Sequence, residues 1–128
     1  MAQDKNLSIL LVDDEVEFAS TLAERLSLRG YTTAYVTDGE SALTRLAAQS
    51  SDLVLLDVML PGLHGIEVLR RIRERFSAVA VILLTGQAGT KDGIEGMKQG
   101  ALGYLSKPVD LNELLDLIGS LNSEATHA

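Results

Sequence analysis

The sequence predicts an α/β fold: one parallel sheet of five strands with helices packed on both faces. Three observations predict it. Short apolar runs alternate with longer amphipathic stretches, and the hydrophobic period switches each time. The runs are apolar on both faces, as strands covered by helices on either side must be. The β-α alternation repeats five times with short connections, which calls for parallel strands joined by right-handed crossovers.

The elements follow in order. Ile9-Leu10-Leu11-Val12 is too short for a helix and rich in branched residues, so it is the first strand. Val16, Ala19, Leu22, Ala23 and Leu26 recur at helical spacing, and Gly30 closes that helix. Tyr31 to Val36 alternates more than the other runs and suits a strand nearer the sheet edge. Asp38 can cap a second helix with Ala42, Leu43, Leu46 and Ala47 inward. Leu53 to Leu56 is the third strand, and Ile66, Leu69, Ile72 and Phe76 mark the third helix. Val79 to Leu84 is the fourth strand. Thr90 to Gly100 reads as a marginal helix, capped by Thr90 with Ile94 and Met97 inward, because Gly93 and Gly96 each cost about 1 kcal/mol against alanine. Such a helix could shift cheaply. Gly103-Tyr104-Leu105 is a short fifth strand. Asp110 with Glu113 resembles a capping box ahead of Leu114, Leu115, Ile118 and Leu121.

Composition narrows the function. At 128 residues the chain is expected to form one domain with a core large enough to hold without staples. It has no cysteine, which removes disulfides, thiolate metal sites and a cysteine nucleophile. A net charge of −7 disfavours a bare nucleic-acid binder, and 4% aromatic content disfavours a stacking platform for single strands. No apolar run approaches the ~20 residues of a membrane helix. The short run from Leu7 to Val12 ends in Asp13-Asp14-Glu15 without a cleavage pattern, so it does not read as a secretory signal.

In an open parallel sheet, ligands bind beyond the carboxyl ends of the strands. Asp13 and Asp14 follow the first strand, Asp57 ends the third, Thr85 ends the fourth and Lys107 follows the fifth. Taken singly, each is ordinary: a helix cap, an acid at a positive helix end, a strand exit or a turn. All of them at successive strand ends point to a site. Two carboxylates ~4 Å apart repel by roughly 4 kcal/mol at an effective dielectric of 20, so three acids need a cation or a proton. Oxygen ligands with a phosphate to share suit Mg²⁺. Lys107 brings a point charge, and Thr85 a hydroxyl, for phosphoryl oxygens. Aspartate can attack phosphorus, and Asp57 on a central strand is the best nucleophile candidate, leaving Asp13 and Asp14 as the metal pair.

The stretches Ile9 to Glu15, Asp52 to Gly62, Leu83 to Gly86 and Gly100 to Pro108 together resemble the receiver domain of a two-component response regulator, of the CheY-like superfamily. The resemblance runs from Leu7 to about Leu121, so residues 1–121 are the expected receiver domain and 122–128 a polar tail that frays. It implies a flavodoxin-like (βα)5 three-layer sandwich with strand order 2-1-3-4-5. It also implies roles. Asp57 would accept a phosphoryl group from a phosphohistidine. Asp13, Asp14, Asp57 and the backbone carbonyl of Met59 would hold Mg²⁺, with Mn²⁺ as a substitute. Lys107 would pair with the phosphate, just before a cis peptide to Pro108. Thr85 would be the switch hydroxyl and Tyr104 the switch aromatic, turning as Thr85 vacates space.

The resemblance further implies a cytoplasmic signalling domain that catalyses only its own phosphotransfer and slow autodephosphorylation. Its partners would be a sensor histidine kinase or a histidine phosphotransfer protein. Downstream would lie a protein target, or a homodimer through the face of the fourth helix, fifth strand and fifth helix, with no direct nucleic-acid or membrane contact. The receiver fold leaves no room for an output domain, so the protein works alone or the chain was cut from a longer regulator. Some positions depart from the family pattern. His64 stands where an acid is common and reads as a loop or capping residue, and Gly96 replaces a usual alanine. Met59 and Gln87 flank the site entrance and should influence acyl-phosphate lifetime. Arg70, Arg71, Arg73 and Arg75, interleaved with Glu67 and Glu74, read as a solvated face of the third helix.

Two rivals are weaker. A phosphohydrolase with an aspartate nucleophile commonly carries a general acid two residues later, where this chain has Met59. A flavin module needs a hydroxyl- and glycine-rich phosphate loop after the first strand, where Asp13-Asp14-Glu15 would repel the phosphate.

Overall fold

The structure, a computed structural model, describes residues 7–86 and 90–127. Its elements run β1 (Ser8–Val12), α1 (Val16–Ser27), β2 (Thr32–Val36), α2 (Gly39–Ala48), β3 (Leu53–Asp57), α3 (Gly65–Arg75), β4 (Ala80–Thr85), α4 (Thr90–Lys98), β5 (Gly103–Ser106) and α5 (Leu111–His127). The five strands are all parallel in the order β2-β1-β3-β4-β5. The alternating pattern called for this parallel sheet between two helix layers, the family resemblance implied its flavodoxin-like order, and β2 lies at an edge as its weaker pattern suggested.

The pleat divides the core in two. Leu10 and Val12 of β1, Val54 and Leu56 of β3 and Val81 and Leu83 of β4 face α2 and α3, packing on Leu43, Leu46, Val68, Leu69 and Ile72. Ile9, Leu11, Leu53, Leu55, Ile82 and Leu84 point to the other face, onto Leu22 and Leu26 of α1 and Leu114 and Ile118 of α5. Every residue of β3 is buried, because helices cover both its faces.

The turns follow their residues. Gly30, at φ +99°, leads the chain out of α1, a backbone conformation that side chains resist. Asp38 caps α2, its Oδ1 accepting from the Ser41 N–H at 2.7 Å. His64 is a cap for α3, as expected: its Nδ1 accepts from the Ile66 N–H at 3.1 Å. Asp110 Oδ1 accepts from the N–H groups of Asn112 and Glu113 at the start of α5. The Lys107-Pro108 peptide is cis. Helix α5 continues past Leu121 to His127, through the expected tail, since no glycine or proline there interrupts it.

The packing of α4 corrects the sequence reading. Ile94 and Met97 point outward, 49% and 45% exposed, while Gly93 and Gly96 are buried. A Cβ at Gly93 would stand 2.5 Å from the Tyr104 ring, and one at Gly96 would stand 2.0 Å from Leu83 Cδ1. The glycines therefore seat the helix on its neighbours. A pattern search that counts only large apolar residues picks the opposite face. Ala47, expected inward, is exposed near the end of α2, and Val16 of the helical repeat is exposed at the start of α1.

Candidate functional site

Hydrogen bonding between neighbouring strands brings the carboxyl ends together. Val12 pairs with Leu56, Asp57 with Leu84 and Thr85 with Ser106, so β1, β3, β4 and β5 finish at one rim. The loops continue the alignment. The Val58 N–H donates to the Leu84 carbonyl at 3.0 Å, and the Lys107 N–H to the Thr85 carbonyl at 2.8 Å. Asp13, Asp57 and Thr85 are the buried polar residues of the described chain.

Asp13, Asp14 and Asp57 each offer a carboxylate oxygen within 4.8 Å of the others. Two are fixed by the backbone. Asp57 Oδ1 accepts from the Met59 N–H at 3.0 Å, and Asp13 Oδ1 from the Glu15 N–H at 2.9 Å. Lys107 Nζ stands 2.7 Å from Asp13 Oδ2, 2.8 Å from Glu15 Oε1 and 3.5 Å from Asp57 Oδ2. Asp14, Glu15, Asp57, Met59, Gly86 and Lys107 line an open depression of about 300 Å³ at this rim.

The electrostatics are strained in a way that suits a cation. Burial pushes the Asp57 carboxyl above its ordinary range; the Met59 N–H opposes that, the Asp13 charge adds to it, and Lys107 again opposes it. Burial alone would pull the Lys107 ammonium down, but its contacts with Asp13 and Glu15 and the charge of Asp57 outweigh this and hold it above the ordinary lysine value. Asp13 Oδ2 is buried and receives no hydrogen bond of normal angle, because the lysine approaches it obliquely, as an ion pair. Three hard oxygen donors converging from two strand ends, one with an oxygen not engaged by an aligned donor, fit a hard divalent cation.

The other sequence candidates lie beside this cluster. Thr85 is buried at the end of β4, its hydroxyl donating to the Leu105 carbonyl at 3.4 Å. Tyr104 is half-buried on β5, paired with Leu83 across the sheet and packed on Gly93 of α4. Gln87 lies outside the described residues. The arginines of α3 are tied within the chain: Arg70 pairs with Glu67 and Glu74, Arg71 pairs with Glu67, and Arg73 donates to the Ser77 and Val79 carbonyls.

The family model for the response regulator receiver domain matches residues 9–119. The chain belongs to the response regulator receiver domain family. Its curated relatives include YkoG of Bacillus subtilis (strain 168), described as an uncharacterized transcriptional regulatory protein. YkoG is 44% identical over 107 residues, 84% of this chain and 47% of YkoG. The DNA-binding response regulator MtrA of Mycobacterium leprae (strain TN) is 42% identical over 107 residues, again 84% of this chain and 47% of MtrA. The chain thus spans about half the length of these relatives. Among solved structures, the signal receiver domain of an HD domain-containing protein from Pseudomonas fluorescens Pf-5 superposes with a TM-score of 0.88 at 32% identity, covering 96% of this chain and 99% of that one.

Two neighbours of Lys107 in this receiver domain escaped the sequence reading. Glu15 holds the ammonium from across the rim, and the Phe18 ring centroid lies 4.7 Å from Nζ. In the sequence Glu15 is one acid of a run that suits a helix start, with nothing to pair it with Lys107. Phe18 carried no signal, since its distance from Lys107 along the chain hides the contact. Among the described residues no helix is long and apolar enough to cross a membrane.

Proposed function

We propose that this receiver domain is the phosphoacceptor of a two-component phosphorelay, with Asp57 as the accepting residue. A carboxylate oxygen of Asp57 attacks the phosphorus of a phosphohistidine on a sensor histidine kinase or a histidine phosphotransfer protein. The O–P bond forms as the N–P bond breaks, and the leaving imidazole keeps the electron pair and takes up a proton. Asp13, Asp14, Asp57 and the Met59 backbone carbonyl would hold Mg²⁺, with Mn²⁺ able to substitute. When bound, the ion neutralises charge that builds on the transferring phosphoryl oxygens. Lys107 supplies the second positive charge from the opposite wall.

Phosphorylation adds about −1.5 to −2 charge and new acceptor oxygens at the rim. Thr85 exchanges its Leu105 carbonyl for one of them, and Tyr104 turns into the space released. Output then passes through the face of α4, β5 and α5 to a protein target or a second copy. The exposed Ile94 and Met97 on α4 support that choice, because an apolar pair on a helix otherwise seated by glycines has no partner within the described residues. The chain acts in the cytoplasm as a signalling domain with no direct nucleic-acid contact, in keeping with its net charge of −7.

The observation that carries the reading is the convergence of Asp13, Asp14, Asp57 and Lys107 from three strand ends at one rim. A phosphohydrolase is disfavoured because Met59, 66% exposed at the rim, cannot protonate a leaving group. Incubation with Mg²⁺ and acetyl phosphate, read by intact mass, tests it. Wild type should gain one acid-stable, base-labile phosphoryl group, and Asp57→Asn none. Wild type unmodified with Mg²⁺ demonstrably bound would sink the proposal.

A further inference from the structure

The side chain of Glu15 is aimed away from its own helix's free N–H groups. It occupies the N-cap position of α1 yet makes no capping hydrogen bond. Its carboxylate instead reaches Lys107, 92 residues away, at 2.8 Å. The backbone fixes the start of that reach, since the Glu15 N–H donates to Asp13 Oδ1. Of the three carboxylates around the ammonium, Glu15 makes the contact of normal hydrogen-bond angle, while Asp57 is the farthest. Glu15 also lines the same depression as Asp57.

We infer that Glu15 is a positioning residue that tethers Lys107 before phosphorylation and gives it up to the phosphoryl group. This rests on the phosphoacceptor reading of Asp57. A phosphoryl group there would bring about two negative charges into a depression already lined by Glu15, with one ammonium between them. With Mg²⁺ held by the aspartates, Glu15 and the phosphoryl group would compete for the one ammonium. Asp13 is fully buried and cannot swing into water. The Glu15 side chain is 64% exposed and can move into water at little cost. The exchange moves the lysine's charge from one acid to another, with no change of covalent bonds. Glu15 therefore opposes phosphorylation twice, by occupying Lys107 and by repelling an anionic donor.

The test pairs a spectroscopic readout with a rate. In protein labelled with ¹³C at glutamate side-chain carboxyls, the Glu15 signal should move on phosphorylation by acetyl phosphate. It should move toward its position in unphosphorylated Lys107→Met, where the tether is absent. Glu15→Gln should take phosphate from acetyl phosphate about two- to fivefold faster than wild type, a gain that fades at high salt. Glu17→Gln, which removes an acid from the first turn of α1, should match wild type. A Glu15 signal unmoved by phosphorylation, a Glu15→Gln rate no faster than wild type, or an equal gain in Glu17→Gln would each overturn the tether. Failure of wild type itself to be modified would instead overturn the phosphoacceptor reading on which it stands.

Discussion

Gly93 leaves the Tyr104 ring its seat: a Cβ at residue 93 would stand 2.5 Å from ring Cδ2 and 2.6 Å from Cε2. The ring is half-buried on β5 and has solvent on one side, so it can yield by turning outward. Gly93→Ala should therefore displace Tyr104 in the unphosphorylated protein. The substitution also returns about 1 kcal/mol of helix propensity to α4. Aromatic NMR signals of Tyr104 that match wild type would show that the seat does not depend on the missing side chain.

Gly96→Ala should behave differently. The Cβ would meet Leu83 Cδ1 at 2.0 Å, and Leu83 is fully buried with nowhere to turn. Overpacking there should cost about 1–3 kcal/mol despite the better helix former. Urea unfolding of the two glycine variants side by side checks the contrast, which fails if Gly96→Ala is the more stable protein.

Gly65 presses the start of α3 onto the backbone of the Asp57 loop. A Cβ there would lie 2.5 Å from Val58 Cα and 2.6 Å from the Asp57 carbonyl oxygen. Backbone cannot rotate away as a side chain can. Gly65→Ala should lose about 1–3 kcal/mol of stability and weaken Mg²⁺ binding together, because the strain falls on the loop that carries Asp57 and Met59. Calorimetric Mg²⁺ titration and urea unfolding read the two effects.

Asp57→Asn should stabilise the metal-free protein at neutral pH. The Asp57 pKa is raised in the folded chain, chiefly by burial, above its ordinary value of 3.8. The folded state therefore favours the protonated form. Its stabilising contribution is full below the unfolded value and is lost as pH rises through the folded one. The asparagine variant escapes that loss, so its advantage in urea unfolding should be present at pH 7 and close as pH falls toward about 4. A wild type more stable than the variant at pH 7 without metal would contradict this.

Glu67 has the opposite sign. Its hydrogen bonds from Arg70 and Arg71 hold it at about 2 against an ordinary 4.5. The contribution is present above 4.5 and fades as pH falls toward 2. Because these side chains are partly exposed, added salt should weaken it. Glu67→Gln should thus lose its small disadvantage in thermal melts on acidification or in high salt.

Most of the sheet was legible because parallel central strands must be apolar on both faces, and Leu53 to Leu56 or Val81 to Leu84 leave no other reading. The acid cluster was legible because each member ends a strand or follows one directly, where sheet order alone decides proximity. The face of α4 was not, since a glycine buries backbone and leaves no mark in a hydrophobic pattern. Gly93 and Gly96 suggested a weak helix, whereas they make room for Tyr104 and Leu83. Glu15 escaped because its partner lies on the far side of the rim. An acid beside two others reads as a helix-start charge until the fold brings Lys107 over it.

Chemical trapping of the phosphorylated residue tests the central claim most directly. After reaction with acetyl phosphate and Mg²⁺, borohydride reduces an aspartyl phosphate to homoserine, which peptide mass spectrometry locates in the chain. Homoserine is expected at position 57 and nowhere else. Homoserine at position 13 or 14, or a phosphoryl group on His64 with residue 57 unreacted, would contradict it.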